Sequence, residues 1–264
     1  MESVGSVLQK EFPVNEYDKT ECDQCGKIYT RYETSNGIVG ACKHCIDNQL
    51  LEELSIPTVE EREKIKEKRF IASFERITND LKTATIDSYI PKEKSQFKAK
   101  QIAKDYIKSF DGMRSLLFSG NCGLGKSHLS FSITKALRKE GYKTLYIKVT
   151  DLFDYIKNTY QPESQINDME IFKMIEGLDL LVLDDIGSEY VKMNEYGHES
   201  WASDVLFKVF DMRLNKSMIC STNYSEKVLT KKYGNNGQRI IDRMMDLTTA
   251  IRLEGESYRR KERF

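Results

Sequence analysis

Short apolar runs alternate with amphipathic stretches along the last two-thirds of the chain. Runs at 115–119, 144–149, 178–184, 217–222 and 248–253 are each bounded by polar segments, which predicts strands. The intervening stretches carry helical periodicity. Gln96–Phe110 puts Phe97, Ile102, Tyr106, Ile107 and Phe110 on related faces, and His128–Lys139 is amphipathic. Strands alternating with helices predict an α/β fold, a mostly parallel five-stranded sheet covered by helices on both faces. Ligands of such sheets bind at the carboxyl ends of the strands.

The front of the chain reads differently. Residues 47–82 have a highly charged helical pattern broken at Pro57, where Thr58 and Glu61 form a capping-box signal for a second helix. The run EEREKIKEKRF predicts a solvated helix acting as a linker, with a helix that docks on a partner as the alternative. Within residues 16–46, Cys22-Asp-Gln-Cys25 and Cys42-Lys-His-Cys45 flank an alternating strand at Ile28–Glu33, a hairpin signal at Ser35-Asn36-Gly37 and a short return at Ile38-Val39. The expected organisation is a small N-terminal zinc-binding module within residues 1–70, a helical linker at 71–94 and the α/β domain at 95–264.

Charge sharpens this division. The 264-residue chain carries 41 Lys+Arg and 41 Asp+Glu. Residues 1–61 hold 5 basic and 12 acidic residues, whereas 62–264 hold 36 and 29. The acidic front is a poor match for a phosphate backbone and the basic remainder a plausible one. No apolar run approaches the length of a membrane span. The N-terminus lacks a basic region followed by a long apolar one, so no secretory signal is read there, and a cytoplasmic location is expected.

Four of the six cysteines form the two C-x₂-C pairs, Cys22/Cys25 and Cys42/Cys45. Two disulfides would satisfy the count, but in a reducing compartment a closed four-thiolate Zn²⁺ site is the better reading, structural and not catalytic. His44 is an alternative ligand in place of a cysteine. Cys122 and Cys220 read as plain small residues.

The sharpest chemistry lies at 120–127. Gly120-Asn121-Cys122-Gly123-Leu124-Gly125-Lys126-Ser127 fits the phosphate-loop pattern G-x-x-x-x-G-K-[ST]. It follows an apolar run and opens a helix at His128, the strand–loop–helix context that motif requires. Backbone N–H groups and the helix N-terminus would cradle phosphate oxygens. Lys126 would reach the β- and γ-phosphates of ATP, and the Ser127 hydroxyl would hold Mg²⁺. The strand ending in Asp184-Asp185 supplies a second half. Asp184 is the candidate Mg²⁺ ligand, and Asp185 the group that orients or deprotonates the attacking water. A further strand ends at Asn223, which could reach the γ-phosphate or that water.

These residues carry a family resemblance. SFDGMRSLLFSGNCGLGKSHL (109–129), LLVLDDIG (180–187), STN (221–223), GQRIIDRMMD (237–246) and ESYRRKE (256–262) resemble the DnaC/DnaI family of replicative helicase loaders, an IstB-like branch of the AAA+ ATPases. The resemblance covers roughly two-thirds of the chain. It implies an AAA+ fold, ATP hydrolysis and side-by-side self-association. It also implies single-stranded DNA binding by the ATPase domain and docking of a hexameric replicative helicase on the N-terminal region. Arg243 matches the arginine finger offered to a neighbouring subunit, with Arg239 a lesser candidate one turn earlier. Arg259 matches a second sensor acting in cis. Tyr160 and Trp201 fall near positions that stack on single strands, although core packing explains each taken alone.

Two departures stand out. Asp185 occupies a place where many AAA+ proteins carry Glu, and the shorter acid predicts slow turnover. Ser188–Trp201 is longer and more polar than the corresponding DnaC segment. Two other readings remain: a transposition helper ATPase similar to IstB, and a non-hydrolysing adaptor in which nucleotide only stabilises the fold.

Overall fold

A computed structural model describes residues 15–53, 57–191 and 201–259. The chain divides into two units, Met1–Ile65 and Lys66–Phe264.

In the first unit, strands β1 (Asn15–Glu21), β2 (Ile28–Thr34) and β3 (Gly37–Val39) form an antiparallel sheet in sequential order. A bulge interrupts β1 between Glu16 and Asp18. Arg31 of β2 grips the Asp18 carboxylate with Nε at 2.8 Å and Nη2 at 2.5 Å. The turn after β2 closes through the Thr34 hydroxyl, which donates to the Gly37 carbonyl at 2.7 Å. Helix α1 (Lys43–Glu53) follows the second cysteine pair. Cys42 is the one buried residue among those whose burial is described in this unit, while Ile28 is 74% exposed.

Helix α2 (Val59–Ser73) contains the division between the units. The expected capping box opens it: Thr58 N–H donates to Glu61 Oε2 at 2.8 Å, and Glu61 N–H to Thr58 Oγ1 at 3.2 Å.

The second unit is the α/β body. Its elements are α2's last turns, α3 (Asn79–Lys82), α4 (Lys94–Lys108), β4 (Ser115–Ser119), α5 (Lys126–Lys139), β5 (Thr144–Lys148), α6 (Val149–Asn158) and α7 (Asp168–Gly177), followed by β6 (Leu180–Ile186), α8 (Trp201–Met212), β7 (Ser217–Thr222), α9 (Glu226–Lys232), α10 (Gly237–Met245) and β8 (Thr248–Arg252). The five strands are parallel, in the order β5-β6-β7-β4-β8. Alternate residues feed opposite faces. Leu145, Ile147, Leu181, Leu183, Met218 and Cys220 join a core with α6–α10. Tyr146, Leu180, Val182, Ile219, Leu116 and Phe118 join a second core with α4 and α5. The expected AAA+ sheet, covered on both faces, is what forms.

Three local features differ from expectation. The residues read as a linker, 71–94, lie inside the second unit, because Phe74 buries in one core and Leu81, Ala84 and Tyr89 in the other. Glu75 also accepts the Tyr146 N–H of edge strand β5 at 3.1 Å. Phe97 is 59% exposed, and its neighbour Gln96 is buried instead. The Gln96 amide closes a capping box with Glu93 and donates to the Glu254 carbonyl at 2.8 Å, so a polar residue wins the inner face by making its hydrogen bonds there. Strand β6 runs two residues past 184, with a register irregularity between Leu183 and Ile186 that keeps both acids within it. No helix among the described residues is long and apolar enough to cross a membrane.

Candidate functional site

Strand β4 delivers the chain into the loop at 120–125, and α5 starts at Lys126. Gly125, the N-terminal cap, has φ +83°, and a Cβ there would strike the Tyr89 ring. A Cβ on Gly120 would strike the Leu253 carbonyl. No side chain caps Gly125, so the helix start keeps its donors for an anion. The loop is pinned from outside: the Tyr89 hydroxyl donates to the Leu124 carbonyl at 2.9 Å, and Tyr258 N–H to the Gly123 carbonyl at 2.9 Å. Leu124 itself buries in the core and contributes only backbone.

A cleft of about 480 Å³ opens over this loop. That is the size of a small-molecule site. Cys122, Gly123, Gly125, Lys126, Ser127 and His128 line one side, Asp184, Asp185 and Asn223 another, and Arg259 with Tyr258 a third. The Lys126 ammonium donates to the carbonyls of Gly120 (2.7 Å) and Asn121 (2.8 Å) and to Asn223 Oδ1 (2.7 Å). Burial lowers its pKa, opposed by the charges of Cys122, Asp184 and Asp185. The Asn223 amide donates onward to Asp185 Oδ1 at 2.8 Å. The Ser127 hydroxyl lies 2.8 Å from Asp184 Oδ2 and 3.1 Å from Oδ1. His128 Nε2 sits 2.9 Å from the Thr85 carbonyl and 3.2 Å from Ser88 Oγ, so its ring is tied to the turn at 85–88.

Lys126, Ser127, Asp184, Asp185, Asn223 and Arg259 therefore converge on one cleft. Arg243 does not. It lies on α10, 3.2 Å from Asp211, with Met113, Ser115 and Met218 near the amino ends of β4 and β7. Arg239 is bound locally, with Nη1 3.1 Å from Asn236 Oδ1 and its guanidinium 4.0 Å over the Phe207 ring. Trp201 packs beside Phe153 at 5.5 Å and donates to the Tyr160 hydroxyl at 3.3 Å, while Tyr160 stays exposed. Residues 192–200, within the long polar segment, and Arg260–Glu262 of ESYRRKE lie outside the described residues.

Sequence reasoning missed two groups that touch Asp184. Tyr146 Oη donates to Asp184 Oδ2 at 2.6 Å, and Ser221 Oγ donates to Oδ1 at 2.5 Å. Ser221 was visible within STN, and Tyr146 as a hydroxylated aromatic in a strand read as buried; a buried phenol needs an acceptor.

In the first unit the four thiols converge. Cys22 and Cys45 Sγ are 3.6 Å apart, Cys25 and Cys42 3.5 Å, and all four sulfurs lie within 4.8 Å of one another. Tetrahedral zinc with bonds of about 2.3 Å places sulfurs roughly 3.8 Å apart, so the donor set fits that ion. His44 is not among the converging groups. The backbone N–H groups of Gln24 and Cys25 draw the Cys22 thiol down to about 7, while the neighbouring sulfurs push the Cys45 thiol up.

The sheet order, the glycine loop after β4 and the paired acids on β6 define a P-loop ATP-binding protein of the AAA+ class. The chain belongs to the family of IstB-like ATP binding proteins, which matches it over residues 46–264. It is 29% identical over 169 residues to the replicative helicase loader DnaC of Escherichia coli K12, covering 61% of this chain and 62% of that one. It thus spans about three-fifths of that relative's length. An ATP-binding protein of insertion sequence IS232 from Bacillus thuringiensis is 29% identical over 173 residues, covering 62% of this chain and 64% of that one. In fold it is similar to the crystal structure of the DnaC helicase loader, with a TM-score of 0.58 and 24% identity, over 67% of this chain and all of that chain. The four cysteines precede the family match.

Proposed function

We propose that this protein is an ATP-dependent loader that carries a hexameric replicative helicase to single-stranded DNA. The observation that carries the reading is the pairing of a four-cysteine unit with an ATPase unit similar to DnaC. Cys22, Cys25, Cys42 and Cys45 hold Zn²⁺, and the acidic unit they organise docks the helicase. The basic second unit meets the DNA and neighbouring copies of itself.

In the cleft, the loop N–H groups and Lys126 neutralise phosphate charge. Ser127 and Asp184 are the pair that would hold Mg²⁺, which would supply neutralisation of phosphate charge. Asp185 orients the attacking water and accepts its proton, with Asn223 fixing both Asp185 and Lys126. Arg259 reaches the nucleotide in cis. Arg243, exposed and remote from its own cleft, serves the cleft of an adjacent copy.

Arg243→Ala should leave ATP affinity within about twofold and reduce hydrolysis by roughly a thousandfold, the low end of an arginine-finger effect. Wild-type turnover in that variant would remove the finger assignment. The loader reading itself is tested by co-purification with candidate hexameric helicases. Capture should occur with the full chain and be lost without residues 1–65.

The likeness to the IS232 protein favours a second reading, a transposition helper. That reading predicts preference for double- over single-stranded DNA and no helicase capture.

A further inference from the structure

Tyr146 belongs to neither the phosphate loop nor the strand that carries the acids. It stands on β5 opposite Val182 of β6, and its backbone N–H is held by Glu75. Its ring is buried and meets Phe131 edge-on, with centroids 5.3 Å apart. Packing alone would be served by phenylalanine. The hydroxyl, however, points at the Asp184 carboxylate and donates to Oδ2 at 2.6 Å. From the opposite flank, Ser221 of β7 donates to Oδ1 at 2.5 Å and accepts the Asp185 N–H at 2.9 Å. Asp184 is thus clasped by hydroxyls from both neighbouring strands, with Ser127 as a third close hydroxyl. A carboxylate offers about four lone-pair sites, so three such donors leave roughly one free and fix the direction in which it points.

We infer that Tyr146 is a positioning residue: its hydroxyl, opposed by Ser221, sets the rotation of the Asp184 carboxylate so that it presents a lone pair to the magnesium of a bound nucleotide. The inference rests on the reading of residues 120–127 and Asp184 as a Mg²⁺–ATP site. Outer-shell donors of this kind are worth about 10- to 100-fold in metal affinity.

The test is Tyr146→Phe in the full chain, which keeps the ring against Phe131 and removes one proton donor. Magnesium chloride is titrated against protein with a fluorescent N-methylanthraniloyl ATP, and affinity for the same nucleotide is measured in EDTA. The unfolding midpoint is recorded without nucleotide. The Mg²⁺ concentration for half-maximal enhancement should rise about tenfold or more. Affinity in EDTA should stay at the wild-type value, and the midpoint should fall by no more than the loss of one buried hydrogen bond accounts for. Ser221→Ala should shift the Mg²⁺ requirement in the same direction. An unchanged requirement in both variants would overturn the inference, as would equal weakening with and without Mg²⁺, which marks a packing role. If the wild type itself bound nucleotide without responding to Mg²⁺, or bound none, the Mg²⁺–ATP reading would fail and take this inference with it. A responsive wild type with indifferent variants defeats the inference alone.

Discussion

The two units of this chain solve the same stability problem with different materials. The second unit buries aliphatic and aromatic side chains on both faces of a five-stranded sheet. In the first unit three strands and a helix leave Tyr17, Ile28, Ile38 and Val39 exposed and bury Cys42 among the residues described. Burying a large apolar side chain contributes about 1.5–3 kcal/mol, and the first unit has almost none to count. Four convergent sulfurs stand in for the missing core. The unit with the packed scaffold can hold a phosphate loop to a fixed shape, while the unit built around the four cysteines leaves its apolar strand residues open.

The strongest way to break this comparison is to challenge the proposed zinc site. Chelation, or Cys25→Ser, should withdraw about 10 kcal/mol or more of folding free energy from the first unit. Amide exchange should then lose protection across 15–53 and keep it in the strands β4–β8. Uniform loss across both units would show that they fold as one. A smaller effect probes the inner boundary. Phe74→Ala should destabilise the second unit by about 3–5 kcal/mol, read as a lower denaturant midpoint, because the ring is buried in its core. An unchanged midpoint would return residues 71–94 to the status of a linker. Smaller again, Lys126→Ala should weaken ATP binding by roughly a hundredfold by calorimetry, the removal of a charge-assisted contact worth about 1.5–3 kcal/mol. The unfolding transition without nucleotide should be little moved.

The chemistry of this protein was legible in its sequence wherever it is contiguous. Lys126 and Ser127 sit in one loop, Asp184 and Asp185 are adjacent, and each C-x₂-C pair closes within four residues. Local chain geometry brings those groups together, so spacing reveals them. Tyr146 and Ser221 reach Asp184 through sheet register, across 38 and 37 positions, and no local pattern encodes which strands become neighbours. Gln96 and Phe97 exchange their expected places for a related reason. Periodicity predicts the inner face from apolarity, but a buried amide with distant partners outcompetes a ring left outside. Residues 71–94 read as a linker because the helix entering them is solvated along its first turns, and only its end meets the core.

Asp185 takes up a left-handed backbone, φ 61°, a conformation that Asp and Asn enter more readily than other side chains. The short acid at this position is therefore matched to the bend that carries it. An engineer who lengthened it to Glu in search of faster turnover would trade reach for strain of about 1–2 kcal/mol. A single-residue upgrade at this position would have to rebuild the bend as well as the side chain.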